Sequence, residues 1–165
     1  MARSRSSRVT RRNQAESDGG RRYDEILDIT QARDGVERFD VLPLLVATDG
    51  AIAAFGHDHR RLRPNIVIDG VEGLAEREWP GGCLRVGKLL VGVQDLRLRC
   101  IMTAYDPDTQ VRDKDITRGI YRRFEGKLAL NCFVIEGGEL TVGDEVQLVR
   151  GRACAESAAT AVFAE

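Results

Sequence analysis

Short segments of β-type sequence, separated by glycine-rich turns, dominate this 165-residue chain and constrain its fold most. VLPLLVA (41–47) and NIVID (65–69) have the apolar, β-branched character of strands. Residues 83–87 and 89–100 alternate in β fashion, and residues 128–149 divide at Gly-Gly and Gly-Asp into three further strands. The sequence therefore predicts a mainly β fold, a β-barrel with a few short accessory helices.

Two segments have the features of short helices. TDGAIAAFG (48–56) offers Thr48 or Asp49 as an N-cap and Gly56 as a stop. In DKDITRGIYRRF (113–124), apolar residues recur every four positions, the spacing that lines one face of a helix. The apolar residues with that spacing are Ile116, Ile120 and Phe124.

Charge is unevenly distributed along the chain, whose formal net charge is −1. Residues 1–22 carry seven arginines and two acidic residues, a local charge of about +5, and contain no large apolar cluster. We predict a disordered basic arm over 1–22, a domain over 23–150 whose residues 23–39 are weakly helical or irregular, and a flexible tail over 151–165. The alternative is that residues 1–22 bind nucleic acid. No stripe of basic residues in the folded part continues this charge, so nucleic acid is not a predicted partner.

Composition and cysteine spacing indicate the compartment. The chain is 42% hydrophobic and 31% charged, which is typical of soluble globular proteins, and no apolar run is long enough to span a membrane. The charged N-terminus is followed by no apolar segment, so we expect that it is not a secretory signal. Its four cysteines, at 83, 100, 132 and 154, form no C-x-x-C pair. We therefore predict a cytoplasmic protein with four reduced thiols and no structural zinc site.

The segment RCIMTAYDPDT (99–109) places a thiol directly after an arginine, at the predicted end of a strand. Cys100 is either a buried apolar residue or a thiolate kept reactive by its basic neighbours. A thiolate suits both metal ligation and sulfur transfer. In a regular strand Cys100 shares a face with Leu96 and Leu98, and Arg99 points to the opposite face. DPDT suits a type I turn and predicts a loop beside a pocket rather than a catalytic group.

An arginine and an asparagine flank a proline in RRLRPNIVI (60–68) and are candidate anion ligands. The guanidinium of Arg63 matches a phosphate with two parallel hydrogen bonds, and Pro64 favours an extended backbone at Arg63. Asn65 can add a neutral hydrogen bond to the same anion. The alternative is that both are ordinary exposed residues at the start of a strand.

Five segments stand out together: RRLRPNIVI (60–68), AEREW (75–79), LRVG (84–87), RCIMTAYDPDT (99–109) and GELTVGDEVQLV (138–149). In this order and at these distances they resemble the MOSC domain, named for the C-terminal domain of molybdenum cofactor sulfurases. The fourth looks most like the mitochondrial amidoxime-reducing component and its bacterial relatives. The resemblance covers about residues 39–150 and implies a MOSC-type β-barrel with a pocket for a molybdenum cofactor of the molybdopterin type or a sulfur-bearing substrate.

The resemblance also implies roles for individual residues. Cys100 would be the catalytic residue and would ligate molybdenum through its sulfur, while Arg63 and Asn65 would hold the cofactor's phosphate. Arg99 and Asp40 complete the predicted cofactor-binding set. The implied activity on a small-molecule substrate is either oxo-transfer reduction of N-oxygenated compounds, with electrons from a redox partner protein, or persulfide transfer from a sulfur-donor protein. The alternative is a shortened, non-catalytic binding or interaction module in which Cys100 is buried and unreactive.

Several positions depart from the family pattern. Val41 and Leu42 stand where cofactor-binding relatives tend to have hydroxyl residues, and Leu98 stands where they have serine. Each missing hydrogen bond would weaken phosphate binding by about 1–2 kcal/mol. Only residues 20–39 stand where relatives have a further N-terminal β stretch, so we expect a barrel that is incomplete or closed by a second copy in a homodimer.

Overall fold

The predicted strands and helices assemble into a barrel with two short helices against it. The computed structural model describes residues 7–10, 27–29, 42–150 and 154. The strands are β1 (Ser7–Thr10), β2 (Leu27–Ile29), β3 (Leu44–Thr48), β4 (Ile66–Asp69), β5 (Cys83–Val86), β6 (Leu89–Leu98), β7 (Lys127–Glu136), β8 (Gly138–Leu140) and β9 (Glu145–Val149). The helices are α1 (Asp49–Phe55) and α2 (Lys114–Phe124). The predicted mainly β barrel with short helices is confirmed.

Seven strands close the barrel in the order β1-β4-β3-β7-β6-β5-β9, and β2 and β8 form a separate two-stranded sheet. β3 and β4 are parallel, and the other paired strands are antiparallel. Inward-facing aliphatic side chains from β3, β4, β6 and β7 fill the interior and are almost completely buried. These include Val46, Ile68, Leu89, Val91 and Leu130.

The structure differs from the sequence-based expectation at the N-terminal segments that it describes. Ser7–Thr10, inside the predicted disordered arm, pairs with both β4 and β9, and Val9 is buried in the barrel core. Backbone pairing and burial of Val9 supply the stabilisation that the arm lacks alone. Leu27–Ile29, predicted as weakly helical or irregular, instead pairs with β8. The rest of 1–22 and of 23–39, and all of the predicted tail except Cys154, lie outside the described residues.

Barrel closure within one chain bears on the predicted homodimer. β1 links β4 to β9 and so joins the two ends of the sheet. The expectation of an incomplete barrel is therefore wrong, because a strand of the same chain fills the gap. A homodimer stays a prediction, but it is not required to complete the barrel.

Both helices begin and end as their sequences predict. The Thr48 hydroxyl accepts from the backbone N–H of Ala51 (3.1 Å) at the start of α1. Gly56 ends that helix in the left-handed conformation, with φ of 74°, which glycine adopts without steric cost. The Asp113 carboxylate caps α2 by accepting from the backbone N–H of Asp115 (2.9 Å). The buried face of α2 packs with α1 in a second hydrophobic cluster, formed by Ala51, Phe55, Leu62, Ile116, Ile120, Phe124 and Leu128.

The cysteines are not all free. Cys83 and Cys154 form a disulfide, with their Cα atoms 5.8 Å apart, so the prediction of four reduced thiols is wrong for this pair. Cys83 lies opposite Val149 at the end of β9, which explains how a residue just beyond that strand reaches it. Cys132 is a free, buried thiol, and its burial raises its pKa. Cys100 is free and exposed.

Among the described residues, neither helix has the length and apolar character needed to traverse a bilayer.

A buried carboxyl group lies beside the barrel. Glu76 is almost completely buried and accepts from the Thr48 hydroxyl (3.3 Å) through Oε2, while Oε1 has no hydrogen-bond partner among the described residues. Burial raises the pKa of Glu76 above its ordinary value of 4.5, against the smaller opposing effects of its own backbone N–H and the Thr48 hydroxyl. Glu76 is therefore held in its protonated form to a higher pH than an exposed glutamate.

This raised pKa predicts a pH-dependent effect of Glu76→Gln. The folded state binds the Glu76 proton more tightly than the unfolded state, so wild-type stability falls as pH rises from the ordinary pKa through the raised one. Glutamine does not titrate. We therefore expect Glu76→Gln to gain stability relative to wild type as pH rises: its free energy of unfolding minus that of wild type should be about 1–2 kcal/mol larger at about pH 8 than at about pH 4. Urea unfolding at both pH values measures this difference.

The matched control is Glu78→Gln, an exposed neighbour in the same 3-10 helix (Ala75–Glu78). Its relative stability should not change with pH by a comparable amount. An equal pH dependence in both variants would contradict the role assigned to burial at Glu76.

Candidate functional site

The end of β6 is irregular, and this irregularity shapes the site. The pairing of β6 with β7 shifts register between Val93 and Asp95 and again between Leu96 and Leu98. Leu98 is 57% exposed, whereas Arg99 is only 7% exposed. Arg99 is thus buried between two exposed neighbours, Leu98 and Cys100, as expected if its side chain faces away from theirs.

Cys100 lies at the start of a 3-10 helix, Ile101–Ala104, with extended backbone angles. Its carbonyl accepts from the Thr103 hydroxyl (2.9 Å), which fixes the turn. The side chain itself is exposed. Of the two alternatives that the sequence left open, the buried core residue is thus wrong, and Cys100 is an accessible thiol.

One cavity, cavity A, brings together four of the predicted site residues. Its volume is about 350 Å³, within the range of small-molecule sites. Its apolar wall is formed by Leu44 and Leu45 of β3, by Leu42 just before that strand, and by Met102. The polar residues that line it are Arg61, Arg63, Asn65, Arg97, Arg99, Cys100 and Asn131. Asp40 and Val41 lie outside the described residues.

Arg63 reaches cavity A from a strained backbone position. It ends the 3-10 helix His59–Leu62 in the left-handed region, with φ of 54° and ψ of 46°. The extended conformation expected before Pro64 is therefore wrong, because the Arg63 N–H instead closes the turn on the Arg60 carbonyl (3.1 Å). This conformation costs a non-glycine residue about 1–2 kcal/mol and concentrates at functional sites. The Arg63 side chain is exposed at the cavity.

Asn65 joins two strands and also lines cavity A. Its Oδ1 accepts from the Leu45 N–H (2.7 Å), and its own backbone N–H donates to the Leu45 carbonyl (2.8 Å). The Leu45 donor fixes the orientation of the amide, so Nδ2 is the group left to donate elsewhere. Asn65 therefore has a structural role on β3 and retains the hydrogen-bond donor that anion binding requires.

Arg99 is the most unusual residue of the site. Its Nη2 donates to the Leu62 carbonyl (2.6 Å), whereas its buried Nε has no hydrogen-bond partner among the described residues. Burial lowers the pKa of Arg99 to about 10; the positive charge of Arg97 contributes, and Cys100 opposes the shift. A buried cation with an unused donor is costly unless an anion compensates it. An anionic ligand in the adjacent cavity would supply both the charge and the hydrogen-bond acceptor.

The wall of cavity A also carries a polar network that was not predicted from the sequence. Arg97 Nη1 donates to Asn131 Oδ1 (3.2 Å), and Asn131 Nδ2 donates to Asp95 (2.6 Å). Asn131 is buried within the apolar run of β7, and a single amide in such a run was the available signal. These bonds hold the Arg97 guanidinium at the cavity.

The DPDT loop is held to the RRLR segment. Asp106 Oδ1 accepts from the backbone N–H groups of Thr109 (2.9 Å) and Asp108 (3.1 Å), and these bonds are the main causes that lower its pKa. Arg61 pairs with Asp106 (2.7 Å), and Arg60 pairs with Asp108 (2.5 Å). The two acidic residues thus organise a loop, as predicted from their turn chemistry.

These features define a class of protein: a closed β-barrel domain with an exposed thiol in a cavity suited to an anionic ligand. The sequence model of the MOSC domain matches residues 49–147, more than half of the chain. The chain belongs to the MOSC domain family.

Relatives of known name agree with this assignment. The chain is 31% identical over 153 residues to the human mitochondrial amidoxime-reducing component 1, covering 78% of this chain and 43% of that protein. It is 29% identical to the mouse protein of the same name, covering 73% and 41%. It is 33% identical over 85 residues to molybdenum cofactor sulfurase 2 of Culex quinquefasciatus, covering 52% and 11%. The chain thus spans less than half the length of each of these proteins.

Solved structures share the fold. The YuaD protein of Bacillus subtilis matches with a TM-score of 0.52 at 16% identity, covering 77% of this chain and 76% of that one. A hypothetical protein matches with a TM-score of 0.53 at 18% identity, covering 86% and 70%. At these identities the likeness concerns the architecture alone.

Proposed function

We propose that this chain binds a molybdenum cofactor of the molybdopterin type in cavity A and acts in the oxo-transfer reduction of N-oxygenated small molecules. Electrons would come from a partner protein, and the proposed location is the cytoplasm. One observation carries the proposal: the exposed thiol of Cys100 shares a cavity with Arg63, Asn65 and the buried Arg99.

The residues of cavity A fit the charge and donor chemistry of such a cofactor. Arg63 and Arg99 offer guanidinium donors for a phosphate, Asn65 Nδ2 adds a neutral donor, and the Nε of Arg99 is buried without a partner. Cys100 supplies a soft sulfur ligand for a heavy transition metal. When bound, the cofactor supplies two-electron oxygen-transfer chemistry. Cys100, Arg63 and Arg99 would hold it in cavity A.

The names of the relatives support the same proposal. Two are amidoxime-reducing components and one is a molybdenum cofactor sulfurase, and the chain aligns with each over half of its own length or more. Leu98, predicted to remove a hydroxyl from the phosphate site, is not among the described residues that line cavity A. Leu42, the described position before Pro43 where relatives tend to have a hydroxyl residue, does line it.

Persulfide transfer through Cys100 is the second candidate, favoured by the exposure of this thiol and by the apolar Leu42 at the proposed phosphate site. A sulfur carrier needs an accessible thiolate but not a retained metal. The non-catalytic module requires a buried Cys100, and the exposure of the thiol argues against it.

The molybdenum content of the purified protein tests the proposal. Protein produced in cells that make the cofactor should contain stoichiometric molybdenum by elemental analysis. Arg63→Gln removes an exposed guanidinium that lines cavity A, and loss of charge-assisted hydrogen bonds worth about 1.5–3 kcal/mol should lower cofactor affinity by roughly tenfold or more. Molybdenum retained after dialysis should fall accordingly.

Arg122→Gln is the matched control, because Arg122 is an exposed arginine of α2 that lines neither described cavity near Cys100. Its molybdenum content should equal that of wild type. Metal-free wild-type protein from those cells would overturn the oxo-transfer proposal. Uptake of sulfane sulfur at Cys100 in that metal-free protein would instead support the persulfide carrier.

A further inference from the structure

A second cavity, cavity B, opens onto the other side of Arg99 and Cys100. Its volume is about 480 Å³, and it lies between these two residues and the start of α2. Besides Arg99, it is lined by the cationic residues Arg112, Lys114 and Arg118. None of the described residues that line it is acidic. Cavity B is therefore a strongly cationic site beside the exposed thiol.

The charges and hydrogen-bond donors of cavity B lack internal compensation. Asp115 pairs with Arg118 (3.0 Å), but both side chains are exposed, and such pairs neutralise each other only weakly. Thr117 Oγ1 is buried and, like the Nε of the nine-tenths-buried Arg99, has no hydrogen-bond partner among the described residues. A cationic cavity with two unused buried polar groups is suited to an oxyanion.

The remaining wall of cavity B is apolar. Ile101 and Tyr121 line it, and both are about half exposed. An aromatic ring and an aliphatic side chain beside cationic groups fit an organic anion with an apolar body better than an inorganic ion.

We propose that cavity B binds a small organic carboxylate with an aromatic or apolar body and presents it to Cys100. The site rests on the cavity and its charges. A further step rests on the proposed function: that the bound carboxylate also carries the N-oxygenated group and is the substrate. The cofactor would then occupy cavity A and the substrate cavity B. The thiol lies where the two cavities meet, because Arg99 and Cys100 line both.

The charge preference of Cys100 alkylation tests this site on metal-free protein. Cys100 is the only exposed free thiol, since Cys132 is buried and Cys83 and Cys154 are bonded to each other. We define the ratio as the rate of Cys100 alkylation by iodoacetate divided by the rate with neutral iodoacetamide. At low salt this ratio should exceed the same ratio for a small free thiol by roughly tenfold, and it should fall as salt is added. Lys114→Gln and Arg112→Gln should each lower this ratio by about threefold.

Two controls make the alkylation result specific. Arg122→Gln removes an equal charge from the exposed surface of α2 and should leave the ratio unchanged. Dividing by the iodoacetamide rate cancels differences in the thiolate fraction of Cys100. The buried Cys132 should stay unlabelled in every variant, which shows that each has folded. A ratio equal to that of the free thiol would overturn the proposal. A fall with Arg63→Gln but not with Lys114→Gln would also overturn it, because the anion would then bind in cavity A.

Ligand protection tests the proposed chemical class directly. Benzoate should slow alkylation of Cys100 by iodoacetamide in wild type but not in Lys114→Gln, and neutral benzamide should not protect either protein. Equal protection by benzoate and benzamide would overturn the requirement for an anion. Because no molybdenum is present, these outcomes are independent of the molybdenum content that tests the proposed function.

Discussion

Replacing Cys100 by serine should abolish the proposed reduction, lowering kcat/KM by about a thousandfold or more. A serine hydroxyl is a hard oxygen group that stays protonated near neutral pH, whereas a thiolate is a soft ligand. The substitution changes one atom at the position where cavities A and B meet. The measurement is turnover of an N-hydroxylated amidine by cofactor-loaded protein, with a reduced viologen dye as the electron donor so that no partner protein is needed.

The fold should tolerate this substitution, so that lost activity reports on chemistry. Cys100 is exposed and belongs to none of the buried hydrophobic clusters, and we expect the free energy of unfolding to change by less than about 0.5 kcal/mol. Cys132→Ala is the matched control. Cys132 packs in the barrel core, so this variant should lose about 1–2 kcal/mol of stability but keep its activity.

Two outcomes would contradict the role of the sulfur. Wild-type turnover in Cys100→Ser would show that the thiol does not take part. Loss of activity in Cys132→Ala, with its fold intact, would place the sensitive thiol in the barrel core rather than at the cavity.

Local features of the fold were predictable because they depend on residues close in sequence. The caps at Thr48 and Asp113, the stop at Gly56 and the four-residue spacing of α2 each satisfy backbone groups or line one helical face. The turn chemistry of DPDT was equally local, since Asp106 accepts from groups two and three residues away. Such interactions can be read from a short window of sequence.

Features that depend on distant segments were not predictable in the same way. β1 is a strand only because β4 and β9 flank it, and Cys83 meets Cys154 across 71 residues. At the site, periodicity separated Arg99 from Leu98 and Cys100 but did not indicate which side is buried, and the structure buries Arg99 and exposes the other two. Four of the residues named from the resemblance line one cavity, but the burial of Arg99 and the second cavity required the structure.

The walls of both cavities depend on the second hydrophobic cluster. Phe55, at the end of α1, packs among Leu62 and the buried face of α2. The Leu62 carbonyl accepts from Arg99, and α2 carries the far wall of cavity B. The cluster thus joins the two helices to the residues that present the thiol.

Phe55→Ala should therefore lower the free energy of unfolding by about 3–5 kcal/mol. Phe55 is 1% exposed, so its loss leaves a cavity among residues that are held by the barrel and α2 and cannot close over it fully. Urea unfolding followed by tryptophan fluorescence measures the change, since the single Trp79 is buried in the barrel core.

Val142→Ala is the control for this loss of stability, because Val142 is exposed and its truncation should cost less than about 0.5 kcal/mol. If the cluster also positions the thiol, the folded fraction of Phe55→Ala should show a weaker preference for iodoacetate over iodoacetamide at Cys100, because α2 would no longer hold Lys114 and Arg118 against cavity B. A loss of stability below about 1 kcal/mol would mean that the helices do not depend on Phe55 for their attachment to the barrel.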